Sequence, residues 1–505
     1  MIETVLAGAD LFFRLDALAL TALGCILGIV IGVLPGLGPL MGIILLVPFA
    51  FKLPPVAAMG MLIAVYVGGS CGGAISAILL RIPGTPLAAA TLLDGYPMAA
   101  SGRTREAIGL AVTASAFGGL IGGAVLILGA PLLASVALRF GPPEYFALTL
   151  LGLLSIAVVS QEATVKGLMT GLLGLLIATV GMDPFSSHLR FTFGSDALLG
   201  GVHIVSVVVG LFALSEMVLQ ARAGGLAERP ALGRVTASLG AIPLLFRHTG
   251  TLLRSAGIGT FFGALPGAGG VISAFTSYAV ARSLSRDPSR FGRGAEEGVI
   301  ATEAANNACC GGALIPTLAL SVPGDASAAV LMGALILLGF FPGPELFEQN
   351  ADVVGGIFLA YIAANLALLV FGLAMAPLFA SALKVPKQVL IPSVLLLSVI
   401  GTYALQGSVF DLWAMLAFGA VGTVLRLHGY PLAPVVIGAV LGPICENAFR
   451  RSLVISGDDL SIFVERPIAL AILLIDAALV LWLLVPRSWK PRAPTHAAAG
   501  ESHPP

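Results

Sequence analysis

The stretch "EEGVIATEAANNACCGG", Glu296 to Gly312, concentrates polar groups in an otherwise apolar chain. Thr302, Glu303, Asn306 and Asn307 combine a carboxylate, a hydroxyl and two amides. Each amide offers both a carbonyl oxygen and N–H donors. Such a set can ligate a sodium ion or hold a substrate carboxylate, and intramembrane polar groups are functional candidates by default. Interhelical hydrogen bonding is the structural alternative for the same residues. Bond-breaking chemistry has no comparable support: no Ser/His pairing or HExxH string occurs, and His188, His203 and His248 fall in or near loops. An intramembrane hydrolase or transferase is therefore the weaker reading, and the expectation is a non-enzyme without a cofactor.

Other polar residues stand beside interruptions of the apolar pattern. "GVLPGLGPLMG" (32–42) is echoed by "GALPGAGGVIS" (263–273), and "CGGAISAILLRIPGTPLAA" (71–89) by "CGGALIPTLALSVPGDASAA" (310–329), in the same order. The breaks are Pro35-Gly36, Pro83-Gly84, Pro266-Gly267 and Pro323-Gly324. Irregular backbone in hydrocarbon leaves groups that cost several kcal/mol each unless they are buried in protein or line a polar cavity. Paired Pro/Gly interruptions in two halves thus point to a transporter site between repeats. Ser70, Ser76 and Thr85 in the first half, with Thr317, Asp325 and Ser327 in the second, are the hydroxyls and carboxylate nearest these breaks.

Gly68 to Pro83 and Ala308 to Pro323 are too short to cross alone, so each is expected to re-enter or to meet a second half-helix beginning after Pro-Gly. The N-terminus of such a half-helix would present free amides to a carboxylate. The two Pro-Gly breaks are expected to meet near the midplane. Asp325 could be a cation ligand, a proton carrier or an N-cap. Arg81 could aim its guanidinium at a carboxylate or anchor the chain at the interface. Asp94 in "LDGYPMA" is read as the cap of a local turn.

The elements that must position these residues are membrane helices. Of 505 residues, 58% are hydrophobic and 10% charged, and mean hydropathy is +1.02. Counting apolar runs by the 20-residue rule predicts an all-α polytopic membrane protein with about eleven to thirteen membrane segments in two repeated halves, of inverted orientation. The halves are 1–220 and 255–486, joined by a basic linker at 221–254 and followed by a tail at 487–505. Arg222, Arg229, Arg234, Arg247 and Arg254 in the linker, and Arg487, Lys490 and Arg492 in the tail, place both in the cytoplasm. The connection 183–196 then lies outside. Arg282, Arg286, Arg290 and Arg293 follow the segment 252–282, so with basic flanks on both sides "GALPGAGG" would re-enter rather than cross. Lys plus Arg equals Asp plus Glu at 26 each, so charge implies no nucleic-acid partner. Five cysteines without ligand spacing read as small buried residues.

Several strings together carry a family resemblance: "GVLPGLGP", "YVGGSCGGAISAILLRIPGTPLAAATLLDGYPMA", "FGPPEYFAL", "RFTFG", "GLFALSE", "RFGRGAEEGVIATEAANNACCGGALIPTLAL" and "FFPGPELF". In order and spacing the chain resembles the large membrane subunit of the tripartite tricarboxylate transporters, the TctA family. The resemblance implies an ion-gradient-driven secondary transporter of the bacterial inner membrane, coupled to Na+ or H+ and taking up small carboxylates of the citrate type. It further implies a small four-helix membrane subunit and a periplasmic solute-binding protein as partners. A carrier or channel acting alone is the alternative. Arg81, Thr302 and Asp325 depart from the family pattern, which would have a small polar residue, Pro and Ser there.

Overall fold

The computed structural model describes residues 2–159, 164–183, 185–222, 237–238, 240–267, 269–383 and 385–484. Arg229 and Arg234 of the expected linker, and the tail with Arg487, Lys490 and Arg492, lie outside the described residues. The architecture is all-α and polytopic, as the composition predicts. Among the described residues, seven helices are long and apolar enough to cross a membrane, and four further apolar helices are shorter. The strands described are a minute hairpin, β1 (Gly181–Met182) and β2 (Leu189–Arg190), with Gly181 opposite Arg190.

In the first half, α1 (Leu15–Val33) turns through Leu34–Leu37 into α2 (Gly38–Ala50), and α3 (Pro55–Leu80) follows. After the Pro83-Gly84 break come a 3-10 turn at Pro86–Ala89, the short α4 (Leu92–Met98) and the long α5 (Thr104–Ala137). In the second half, α6 (Thr249–Ala264) turns into α7 (Gly269–Ser283), and α8 (Glu296–Leu320) follows. After Pro323-Gly324 come α9 (Ala326–Leu337) and then α10 (Ala351–Ala374). The 24-residue α11 (Ala433–Ser456) packs against the helices Pro142–Val159 and Thr164–Ala178 and against α9.

Two expectations are corrected here. Gly68–Pro83 and Ala308–Pro323 are not separate short segments: they end the continuous helices α3 and α8, of 26 and 25 residues. The glycines in them do not interrupt the helix, because its hydrogen bonds are internal; they admit a neighbour's backbone instead. A β-carbon at Gly72 would stand 2.4 Å from the Ile29 carbonyl oxygen, and one at Gly312 would stand 2.3 Å from that of Thr260. The linker is also shorter than 221–254. Residues 241–247 are helical and α6 has begun by Thr249, so Arg254 belongs to α6.

Helices α3 and α8 form the centre. Val56 to Ile78 and Gly298 to Leu320 are buried without interruption, the pattern of helices surrounded on all sides. They run antiparallel. Ser70, midway along α3, meets Asn306 of α8; Tyr66, earlier in α3, reaches Asp325 beyond the end of α8; and Thr91, beyond the end of α3, reaches Glu303.

Each central helix carries a helical hairpin. In the first, Gly24, Gly28 and Gly32 of α1 lie over Met61, Val65 and Gly69, so α1 runs alongside α3 in the same direction. Helix α2 then returns, with Pro39 against Gly69 and Gly42 against Val65. In the second, Gly259 and Gly263 of α6 lie over Ala305 and Cys309, and Gly270 of α7 lies beside Asn306. Gly32 over Gly69 and Gly263 over Cys309 each lie eleven residues before the ends of α3 and α8, so at 1.5 Å per residue α1 and α6 reach their turns about 16 Å short of those ends. "GALPGAGG" therefore turns back part-way along α8.

The connection 181–190 is held to α11 by a compact ionic cluster. Arg190 binds Glu446 at 2.7 Å, and Arg450 binds both Asp183 at 2.9 Å and Glu446 at 3.1 Å. Asp183 also accepts the Phe185 and Ser186 N–H groups at 2.8 and 3.2 Å. The Phe185 N–H first, then Ser186 and Arg450, hold its carboxyl down at about 2. The folded state thus favours the carboxylate, so this contribution is complete above the ordinary carboxylate range and disappears as pH falls through about 2. Amide exchange across 181–190, corrected for its intrinsic pH dependence, is expected to accelerate over that window in the wild type. Asp183→Asn should remove the dependence; an unchanged dependence in that variant would rule out Asp183 as its origin.

Candidate functional site

In each half the hairpin turn is tied to the Pro-Gly break that follows it. Gly36 N–H donates to the Gly84 carbonyl at 3.2 Å, and Gly267 N–H donates to the Gly324 carbonyl at 2.7 Å. The breaks start alike: Arg81 and Ser321 end α3 and α8 with φ of 59° and 56°, which reverses the chain toward the helix interior. Gly84 then reaches back to Gly73, donating to its carbonyl at 3.3 Å, and Gly324 packs on Ala313. The expectation that the two Pro-Gly breaks meet is corrected accordingly. Each meets the hairpin of its own half, and because α3 and α8 are antiparallel the two breaks flank the Ser70–Asn306 crossing.

At that crossing the amide N–H of Asn306 donates to the Ser70 carbonyl at 2.9 Å. The Ser70 hydroxyl donates to the Tyr66 carbonyl at 2.8 Å and lies 3.3 Å from Cys310 Sγ. Asn306 Oδ1, both amide atoms of Asn307 and Thr85 Oγ1 are buried with no hydrogen-bond partner. Unpaired buried polar groups are expensive, so four such atoms close to one crossing mark a place built to receive polar atoms from elsewhere. Two helix starts converge on it. Gly38, first in α2, lies against Thr85, and Gly270, second in α7, lies against Leu87 and Asn306. Their first-turn N–H groups and the positive ends of their dipoles suit a carboxylate.

Glu303, one turn before Asn306–Asn307, is fully buried. It accepts from Ser115 of α5 at 2.7 Å and from Thr91, which also bonds Thr302 at 3.0 Å. Ser76 supports the first break, bonding the Gly73 carbonyl at 3.0 Å beneath Gly84. Thr317 is buried and returns its hydroxyl to the Ala313 carbonyl. Asp325 is the N-cap of α9, accepting the Ala328 N–H at 2.8 Å, and receives the Tyr66 hydroxyl; Ser327 lies in the first turn of α9. The first half has no equivalent half-helix, because Thr85 is followed by Pro86 and a 3-10 turn.

Arg81 stands apart from this cluster. It is exposed, with its guanidinium 5.5 Å from the centre of the Tyr96 ring, which is the anchoring arrangement. Asp94 does more than cap a local turn. Its Oδ1 accepts the N–H groups of Gly292, Gly294 and Ala295, each at 2.8 Å, and so places a carboxylate from the first half at the start of α8. Gly292 and Gly294 have φ of 83° and 97°, a conformation that side chains resist and that turns these N–H groups inward. Asp94→Ala would orphan two buried donors, Gly294 and Ala295, and release the exposed Gly292 N–H to water, and is expected to cost about 2 kcal/mol or more. Thermal unfolding of the purified protein checks this, with Asp94→Asn recovering part of the loss because its amide oxygen still accepts.

Tyr66, Thr91, Ser115, Tyr361 and Asn365 were not singled out by sequence. Tyr361 donates to the Asn307 carbonyl at 3.1 Å, and Asn365 Oδ1 is another buried atom without a partner. Their only sequence signal is a polar residue in an apolar run, which many harmless serines and threonines share. The four fully buried or nearly buried cysteines Cys25, Cys71, Cys309 and Cys310 are unpaired thiols, and no cluster of metal-ligating residues occurs among the described residues.

Two helical hairpins closing on paired breaks, with unsatisfied polar atoms between antiparallel central helices, define a membrane transport protein of the broken-helix kind. Residues 18–437 match the model of the tripartite tricarboxylate transporter TctA family, and the chain belongs to that family. It is 37% identical over 464 residues to the uncharacterized 52.8 kDa protein in the TAR-I ttuC' 3'region of Agrobacterium vitis, covering 92% of each chain. It is also 37% identical over 228 residues to an uncharacterized protein in the TAR-II ttuC' 3'region of the same organism. That match covers 45% of this chain and 94% of the relative. No solved structure matches the chain.

Proposed function

We propose that this tricarboxylate transporter component is the large permease subunit of a binding-protein-dependent secondary transporter. It drives uptake of small carboxylates into the bacterial cell with an ion gradient, sodium or proton. The observation that carries the reading is the set of unpartnered buried atoms on Thr85, beside the start of α2, on Asn306, beside the start of α7, and on the neighbouring Asn307. A carboxylate there would accept from helix N-termini and from the Asn307 amide, while the amide carbonyls and the Thr85 hydroxyl would ligate a cation.

Family membership supports a small membrane subunit and a periplasmic solute-binding protein as partners, and the inner membrane as the location. The matched devices of the two halves, on antiparallel helices, support a duplication of opposite orientation, which supplies a gate on each side of one site. Orientation follows from the basic segments lying inside.

The test is uptake of a labelled panel of di- and tricarboxylates by cells expressing the chain with its small subunit, with and without the binding protein, under imposed sodium or proton gradients. Gradient-driven accumulation that needs the binding protein is expected. Accumulation without it would replace this reading with a stand-alone carrier, and no accumulation of any acid would refute the substrate class.

A further inference from the structure

We infer that the cavity beside Arg451 of α11, on the outward side, is a second binding site for the transported acid, filled before the acid reaches Asn306 and Asn307. The class of its ligand rests on the transport reading above; the site itself rests on the cavity and the donors that line it.

The cavity measures about 790 Å³ and is bounded by the ends of α5 and α8, by α9 and by α11. It lies on the side where the connection 181–190 is held to α11, which is outside when the basic segments lie inside. Ser321, in its lining, is fourteen residues past Asn307 along α8, about 21 Å away at 1.5 Å per residue. It is therefore a different place from the central crossing.

Its wall is mostly apolar with a few polar groups, the usual make-up of a small-molecule site. Asn447 and Arg451 both line it. Four residues apart on α11, they share one face and lie about 6 Å apart along the axis. Neither side chain has a hydrogen bond or an ion pair among the described residues. The neighbouring arginines differ: Arg450 is spent on Asp183 and Glu446, Arg190 on Glu446 and Arg466 on Glu144. Tyr145 enters the lining from the helix Pro142–Val159, and its hydroxyl makes no hydrogen bond among the described residues. A free guanidinium, amide and phenol in one concavity suit an anion with more than one oxygen function. The guanidinium takes a carboxylate through two N–H groups, and the amide and phenol take a second carboxylate or a hydroxyl. Glu345 also lines the cavity without pairing to Arg451, so it repels a carboxylate from its own end toward the guanidinium.

A narrower apolar space adjoins the cavity. The two share Ile204, Gly333, Leu337 and Val440. The second reaches Ile44 of α2, six residues past Gly38 and so about 9 Å from the helix start beside Thr85. This throat measures about 20 Å³, which is room for one water. A carboxylic acid does not pass it in this conformation. An acid arriving from outside is stopped in the large cavity, and the free donors hold it there until α2, α9 and α11 separate.

Titration of the purified chain in nanodiscs with citrate counts the sites. Two citrates per chain are expected, one lost in Arg451→Gln and the other in Asn307→Ala. Arg451→Lys keeps the charge but not the fork, and should weaken the outer site about tenfold. Glu345→Gln removes a like charge and should tighten it, a change of opposite sign that a purely structural role for these residues does not produce. Fewer than two citrates in the wild type, or a titration that Arg451→Gln leaves unchanged, overturns the site. Gly333→Leu tests the throat. A β-carbon there meets open space, so this variant should melt like the parent and keep the outer citrate. Its citrate uptake, in cells carrying the small subunit and the binding protein, should fall at least about tenfold. Parental uptake in Gly333→Leu overturns the route. Absence of citrate uptake by the wild type would count against the transport reading, while the titration would still decide whether Arg451 holds an acid.

Discussion

Asn307→Ala reaches the membrane at wild-type abundance, resists heat at least as well as the parent, and takes up no carboxylate. The two halves of that expectation come from one observation. Both polar atoms of the Asn307 amide are buried without a partner, and the side chain is 0% exposed. An unsatisfied buried amide costs roughly 1–3 kcal/mol on the scale of protein mutations. Removing it should therefore be neutral or stabilising for the empty protein, minus a small packing loss. The backbone contact is untouched, since Tyr361 bonds the Asn307 carbonyl rather than its side chain. A residue kept for packing would show the reverse, lower stability with uptake preserved. Uptake of the carboxylate panel and thermal unfolding, measured at equal expression, separate the two. Unchanged uptake would remove Asn307 from the site.

Gly84→Val and Gly324→Val are each expected to prevent accumulation of folded protein. A β-carbon at Gly84 would lie 2.4 Å from the Gly32 carbonyl oxygen and 2.5 Å from Ser76 Oγ. At Gly324 it would lie 2.3 Å from the Gly263 carbonyl oxygen and 2.6 Å from Ala313 Cα. Most of these atoms are backbone and cannot swing aside. Overpacking a tight core costs about 1–3 kcal/mol even where side chains can shift, and more where they cannot. Each substitution would also pull its break away from its hairpin turn, where Gly36 and Gly267 donate to the carbonyls of these same residues. Size-exclusion profiles of detergent-solubilised protein should show loss of the monodisperse species for both variants, while Gly257→Val, at a position with open space, should retain it. A normal profile for Gly84→Val or Gly324→Val would mean that the break is looser than its contacts indicate.

Departures from the sequence reading share one cause. Gly68–Pro83 and Ala308–Pro323 read by length as segments too short to cross, yet both continue the helix before them, because glycine in a membrane helix costs little when a neighbouring backbone fills the space. The actual interruptions are the left-handed residues Arg81 and Ser321 with the Pro-Gly pairs after them. A charge beside a break leaves Arg81 open in the string to a ligand or an anchoring role; in space it lies at an exposed helix end over Tyr96. Asp94 appeared to serve its own turn, yet its partners are about two hundred residues away.

By itself the sequence determined that this chain is an all-α membrane protein of the TctA family, that its irregular backbone falls at four Pro-Gly positions, and that polar chemistry gathers around Thr302 to Asn307. Composition, apolar run length and motif order are local or additive properties, and they survive being read one residue at a time. Only the tertiary structure decided that each hairpin turn closes on its own half's break, that Ser70 meets Asn306, and that Glu303 sits among Thr91, Thr302 and Ser115. Those pairings depend on antiparallel packing of two helices separated by more than two hundred residues. Whether a buried polar atom is satisfied or waiting for a ligand is settled by what lies across that contact, which no local spacing encodes.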